Sequence, residues 1–142
     1  MWVWNDEERV YLHQLGGVVI EKHCKIGSNV TIVRGSANEN TIIGEGTCMA
    51  HGTLIGHGCV IGKNNHFANN VSLGGGVKIC DNCFFGSGVV LSAGCIIQNI
   101  ILVGSGGVLN GTIEKPGVYV GVPAKWKKEY KDKMSGVPFK SY

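Results

Sequence analysis

The sequence predicts an all-β chain wound as a single parallel β-helix, and three observations carry that prediction. Stepping by six from Ile43 meets Met49, Ile55, Ile61, Phe67, Leu73, Ile79, Phe85, Leu91, Ile97, Val103 and Leu109, a large apolar residue every time. The residue after such a marker is often glycine, as at Gly44, Gly56, Gly62, Gly74, Gly86 and Gly104. The fourth residue after it is small or β-branched, as at Thr47, Thr53, Cys59, Val71, Cys83 and Cys95. Residues eighteen apart are also alike. One ladder reads Ile43, Ile61, Ile79, Ile97; the next reads Met49, Phe67, Phe85, Val103; the third reads Ile55, Leu73, Leu91, Leu109. Six is not a helical period. Three short strands joined by glycine turns close one eighteen-residue coil, and stacked coils then place like on like.

The elements follow in order. Residues 1–18 form an N-terminal cap, in which Trp2, Trp4 and Tyr11 are expected to come down on the first coil. Coils stacked ~4.8 Å apart leave open strand edges at both ends, and such edges need covers. Residues 19–114 form the β-helix, of about five coils. Ile20, Ile26 and Ile32 keep the step of six, and the phase then slips by five across SANEN, residues 36–40. Residues 115–142 form a C-terminal loop and helix. All 3 prolines, Pro116, Pro123 and Pro138, lie outside the repeats, where they break no ladder. The stretch AKWKKEYKDKM, from Ala124 to Met134, reads as a short α-helix.

Composition removes several function classes. The chain has 23 glycines without a third-position period, so it is not collagen-like, and its aliphatic content excludes disorder. The net charge of +3 is mild and local, with Lys125, Lys127, Lys128, Lys131, Lys133 and Lys140 near the C-terminus, where they read as a solvated face. The basic residues form no aromatic-interleaved stripe, so no nucleic-acid partner is expected. The N-terminus MWVWNDEERV is acidic and lacks a signal-peptide layout, and no apolar run approaches the ~18 residues of a membrane helix. A cytoplasmic chain with its 6 cysteines reduced is the expectation. The CxxC of Cys80 and Cys83 is explained by packing, because Cys83 falls at the small-residue position shared with Cys24, Cys59 and Cys95.

These glycine-marked hexapeptides resemble the left-handed β-helix acyltransferases over nearly the whole chain, which implies a single left-handed parallel β-helix. LGGVVIE, VTIVRGS, NTIIGEGT and EKPGVY resemble the UDP-3-O-acylglucosamine N-acyltransferases of lipid A synthesis. IGHGCVIGKNNHFANNVSLGGGVKI, followed by VGVPAK, is similar to the N-acetyltransferases that modify nucleotide-linked amino sugars. The resemblance implies His57 as general base, and His66, Gly74, Ala93, Pro123 and Lys125 at an acetyl-CoA site. It also implies a homotrimer with the active site between neighbouring helices. The resemblance also implies a separate acceptor-binding domain before the helix, in the lipid A enzymes and in many of the amino-sugar enzymes. This sequence includes neither, as a lost domain or a truncation would leave it, and LHQLGGVVIE resembles the junction where such a domain joins. The amino-sugar branch tends to place acidic residues beside its base, whereas His57 lies between Gly56 and Gly58.

The residues carry their own argument for His57. It stands two after a marker, near a corner, with Arg34 at the equivalent position one coil earlier and Gly75 one coil later. A neutral imidazole can remove a proton from an amine or hydroxyl at pH 7. Arg34 next in the row opposes imidazole protonation and is placed to meet substrate. Gly75 has no side chain to block a thioester, so its N–H can donate to a developing oxyanion. His66 is equally well explained as a half-buried residue near Cys48 and Phe84, and His51 as part of a polar ladder with Asn69 and Ser87. Carbonic anhydrases share this fold and the IGHG motif, but Gly62 stands where their next zinc ligand falls. No three ligands converge, and no metal is expected.

The reading is therefore acyl transfer, acetyl from CoA, to an amine or hydroxyl of a sugar or nucleotide-sugar. Direct attack is expected, since no cysteine or serine is placed to form an acyl-enzyme. The alternatives are a lipid A-type enzyme drawing on acyl carrier protein, and a non-catalytic β-helical scaffold.

Overall fold

The structure, a computed structural model, describes residues 1–130. It is all-β, and three sheets of five, six and seven strands, parallel except for the last strand of the seven-stranded one, form the faces of a triangular solenoid. The sequence ladders are its registers: Ile43↔Ile61 and Ile61↔Ile79 on one face, Met49↔Phe67 and Phe67↔Phe85 on the next, Ile55↔Leu73 and Leu73↔Leu91 on the third. Each of these side chains is at least 97% buried. Filling the interior with one large apolar side chain per strand contributes about 1.5–3 kcal/mol per residue. Phe67 and Phe85 stack with centroids 4.9 Å apart, so the aromatic ladder is a column of parallel rings.

The turns explain two more features of the repeat. The third residue after a marker has positive φ, as at Gly46, Gly52, Gly58, Gly76 and Gly88, or is an asparagine that tolerates it, as at Asn64, Asn70 and Asn82. The small fourth position has a hydrogen-bonding role beyond packing. Thr47 Oγ1 donates to Gly62 O at 3.0 Å, Cys59 Sγ to Gly74 O at 3.2 Å and Cys83 Sγ to Gln98 O at 3.1 Å. Each satisfies a turn carbonyl of the following coil. At Asn65 the same position is a buried amide, with Nδ2 donating to Cys80 O at 2.7 Å and Oδ1 accepting from Cys83 N–H at 2.8 Å. Burial pushes the Cys83 thiol up to about 12, which fits a packed donor rather than a reactive thiolate.

The ends depart from expectation. Ala124–Lys128 is a strand, not the start of a helix. It pairs antiparallel with Gly117–Gly121 and completes the edge of the Phe67 face. An open edge offers a row of unpaired backbone groups, and pairing it outweighs the weak helical bias of a Lys-rich segment. Trp126 fixes the hairpin: Nε1 donates to Pro116 O at 3.2 Å, and Lys115 Nζ sits 3.5 Å from its ring centroid. The remainder of the expected helix, from Lys131 onward, lies outside the described residues.

At the other end, Trp2–Asn5 and Glu8–Tyr11 form an antiparallel hairpin. Trp2 packs edge-on against Tyr11, and Arg9 lies over the Trp2 ring. These aromatics stand clear of the first coil, with Trp4 72% exposed, and the first inward residues Ile20 and Ile26 remain 48% and 40% exposed. Among the described residues no helix is long and apolar enough to cross a membrane.

Candidate functional site

Strand register places the sequence-predicted residues in one vertical row. Ile32 pairs with Ile55, Ile55 with Leu73, Leu73 with Leu91, and Leu91 with Leu109. Two residues on, at the corner, the row therefore reads Arg34, His57, Gly75, Ala93, Gly111. The His57 carbonyl accepts Gly76 N–H at 2.8 Å, which ties the two corners together. The imidazole lies across Gly75. A Cβ there would run into Nε2 and stand 2.7 and 2.8 Å from Cε1 and Cδ2. Glycine at 75 is thus the space in which the His57 ring sits.

Beyond His57 the row carries almost no side chain. Gly75, Ala93 and Gly111 leave a smooth strip about 10 Å long over three rungs. The Gly75 N–H makes no hydrogen bond within the described residues. Gly56 keeps that N–H uncovered, since a Cβ at 56 would lie 2.7 Å from Gly75 N. Gly74 serves close packing in the same way, its would-be Cβ 2.6 Å from Ala93 N. Below His57, Arg34 folds back, its Nε donating to Gly16 O at 2.7 Å.

The phase slip supplies a residue that sequence reasoning missed. The extra residues 36–40 fold back over the corner, and the Glu39 carbonyl packs so closely that a Cβ at Gly16 or Gly35 would collide with it. Asn40 Oδ1 accepts Gly17 N–H at 2.8 Å, and Ser36 Oγ donates to Glu39 Oε1 at 2.6 Å. The Glu39 carboxylate is thereby laid over Gly58, the residue after His57. Its Cδ stands 2.6 Å and its Oε2 3.1 Å from where a Gly58 Cβ would be. A loop that interrupts the repeat next to a histidine row was the available signal, but a period of six assigns no position to residues outside it.

The other predicted residues lie elsewhere. His66 is on the face opposite the His57 corner, in register with Cys48 and Phe84. Its ring stacks on Phe84 with centroids 5.3 Å apart, and burial lowers its pKa. It lines a shallow cavity of ≈ 260 Å³ with Lys25, Cys48 and Met49. Pro123 and Lys125 belong to the terminal hairpin on that same face. Within one chain, neither His66 nor the hairpin meets His57. Among the described residues no three His, Cys, Asp or Glu side chains converge on a common point.

Comparison with known proteins gives this corner its context. The bacterial transferase hexapeptide family, defined by six repeats, matches residues 58–93. The UDP-3-O-acylglucosamine N-acyltransferase of Saccharophagus degradans is 40% identical over 70 residues, which are 49% of this chain and 17% of that protein. A variant of perosamine N-acetyltransferase from Caulobacter crescentus, solved with CoA and GDP-perosamine, superposes with a TM-score of 0.62 at 26% identity, covering 82% of this chain and 58% of that one. The UDP-N-acetylglucosamine O-acyltransferase of Moraxella catarrhalis superposes with a TM-score of 0.75 at 28% identity, covering 89% of this chain and 50% of that one. The chain thus spans at most three-fifths of the length of these relatives. In its repeat and in its fold, this chain resembles the hexapeptide-repeat acyltransferases.

Proposed function

We propose that the chain transfers an acyl group, acetyl from CoA, to an amino or hydroxyl group of a sugar or nucleotide-sugar, with His57 as general base. The observation that carries this reading is the meeting of the His57 ring with a side-chain-free strip that begins at an unpaired N–H, that of Gly75. A thioester lying along the strip would set its carbonyl oxygen toward that N–H. The acceptor would then give its proton to His57 Nε2 while its nitrogen or oxygen attacks the carbonyl carbon. The tetrahedral oxyanion would be held by Gly75 N–H, and its collapse would expel the thiolate, which recovers the proton from the imidazolium.

Support comes from the relatives' own chemistry. One solved relative holds CoA and a nucleotide-sugar, and the others act on nucleotide-linked glucosamines. Arg34, on the row below His57, is suited to meet a phosphate of the acceptor. His66, Pro123 and Lys125 face away from His57 in a single chain, so their part in CoA binding requires a second copy. A homotrimer, in which each corner meets a neighbour's face, supplies it. The 40% identity to an N-acyltransferase of UDP-3-O-acylglucosamine favours, as the second reading, a longer acyl group delivered by acyl carrier protein.

The first test is calorimetric titration of the purified protein with acetyl-CoA and with CoA. The reading expects micromolar binding near one per chain, and an acetylation of nucleotide amino sugars that His57→Ala lowers at least a hundredfold. Binding of acyl carrier protein without CoA binding would favour the second reading. Transfer that survives His57→Ala within a few-fold would remove the base.

A further inference from the structure

We infer that Glu39 is the positioning residue of His57, holding the imidazole as its Nδ1–H tautomer so that Nε2 stays free to accept a proton. This rests on the reading of His57 as base. The two ring nitrogens face different surroundings. Nε2 is the atom turned toward Gly75, along the strip where the reaction would take place. Nδ1 is buried and makes no hydrogen bond in the structure. A base that works through Nε2 must carry its proton on Nδ1, and a buried N–H without an acceptor is costly. The ring therefore requires an acceptor on its Nδ1 side.

The groups at this corner can be sorted by chemistry. Arg34 is a donor and cannot receive an N–H. Thr41 Oγ1 is already engaged both ways, donating to Val33 O at 2.6 Å and accepting Gly58 N–H at 2.9 Å. Asp81 and Glu45 stand two after Ile79 and Ile43, at a different corner, Asp81 against Gly62 and Glu45 paired with Lys22 at 3.6 Å. Glu39 is the carboxylate that remains, seated over the residue after His57. Ser36 occupies its Oε1, which leaves Oε2 free to accept. The backbone on either side of the carboxylate is pinned, by Glu39's own carbonyl on Gly16 and Gly35 and by Asn40 on Gly17. The inference requires Oε2 to reach Nδ1 by rotation of side-chain torsions, a motion of picoseconds to nanoseconds. The acid thus comes from the loop inserted in the coil below, while the hexapeptide that carries the base has glycine on both sides of it.

The test reads the tautomer directly. Nitrogen-15 spectra of the full chain at pH 8, with His57 assigned by its loss in His57→Ala, are recorded for wild type, Glu39→Ala and Glu39→Gln. The expected result is Nδ1–H in wild type, a shift toward the Nε2–H form that histidine favours in water in Glu39→Ala, and an intermediate in Glu39→Gln, whose amide oxygen still accepts. The transfer rate of Glu39→Ala should fall by about 10- to 100-fold through kcat with KM for acetyl-CoA unchanged, and the melting temperature should stay within a degree or two. An unchanged tautomer in Glu39→Ala, or Nε2–H already in wild type, overturns the inference. If instead the tautomer follows Glu39 while His57→Ala keeps its activity, the base reading fails and the hold of Glu39 on the ring stands.

Discussion

Adding a single methyl group at Gly75 separates the two roles given to this corner. The Gly75 φ lies outside the left-handed region, so alanine fits the backbone, and the N–H is untouched. The new Cβ would stand 2.7 and 2.8 Å from Cε1 and Cδ2 of His57 and against Nε2. To restore ordinary carbon packing at ~3.5 Å the ring must withdraw by about 1 Å. His57 is only half-buried and can swing outward. The folding cost is therefore small, about 1 kcal/mol, and the restricted unfolded chain returns roughly 0.4–1 kcal/mol of it. Catalysis has no such compensation. A base displaced by about 1 Å loses on the order of 10²-fold, equivalent to about 2.7 kcal/mol of barrier. Paired measurements of kcat/KM and of the denaturation midpoint, with Ala93→Gly as a control one rung further along the strip, check the prediction. Gly75→Ala with unchanged stability and kcat/KM within about threefold of wild type would refute the placement of the His57 ring as the working geometry.

Three further outcomes are expected. Ile100 occupies the turn position held by Gly46, Asn64 and Asn82, with φ of +61°, although a β-branched residue pays roughly 1–2 kcal/mol in that region. Ile100→Asn should raise stability by about 1 kcal/mol in a urea titration, and a loss of stability would show that the 41% exposed side chain makes contacts worth more than the strain. Ile61→Ala, in the middle of a fully buried ladder, should cost about 2–5 kcal/mol, against under 0.5 kcal/mol for an exposed control such as Lys78→Ala. Burial holds the His66 pKa below its ordinary 6.5, so the unfolded chain takes up a proton first as the pH falls. Stability should then decline from pH 6.5 downward until the folded form also titrates, and His66→Phe, which keeps the stack on Phe84, should flatten that decline in melts between pH 7.5 and 5.5.

The coil was legible because every rung repeats one instruction: a large apolar residue inward, a glycine or asparagine at the corner, a small residue before the next strand. Ile43, Phe67 and Leu91 could be placed on their faces by counting, and counting likewise set Gly75 above His57. What could not be counted was missed. Ala124–Lys128 has the composition of a solvated helix, and only the unpaired edge of the strand before it makes it a strand. Glu39 lies outside the period, on a loop whose path depends on two glycines with no room for a side chain, Gly16 and Gly35. The small position was read as a packing requirement, whereas the hydroxyl or thiol at Thr47, Cys59 and Cys83 also answers a carbonyl of the next turn. Local pattern foretold the scaffold, and the departures from it hold the particulars of the corner.

The slip at residues 36–40 also bears on how such a chain finds its own alignment. Coils of eighteen residues that present the same three apolar ladders are nearly interchangeable partners, so a growing stack could dock one turn out of place and bury almost the same surface. The coil that runs from Ile20 to Ile43 spans twenty-three residues instead, and its surplus fits only where Gly16, Gly35 and Gly58 leave room. It acts as the zero mark on an otherwise uniform ruler: once that turn is seated, every later rung has one address, and the histidine at the next corner always faces the same neighbours.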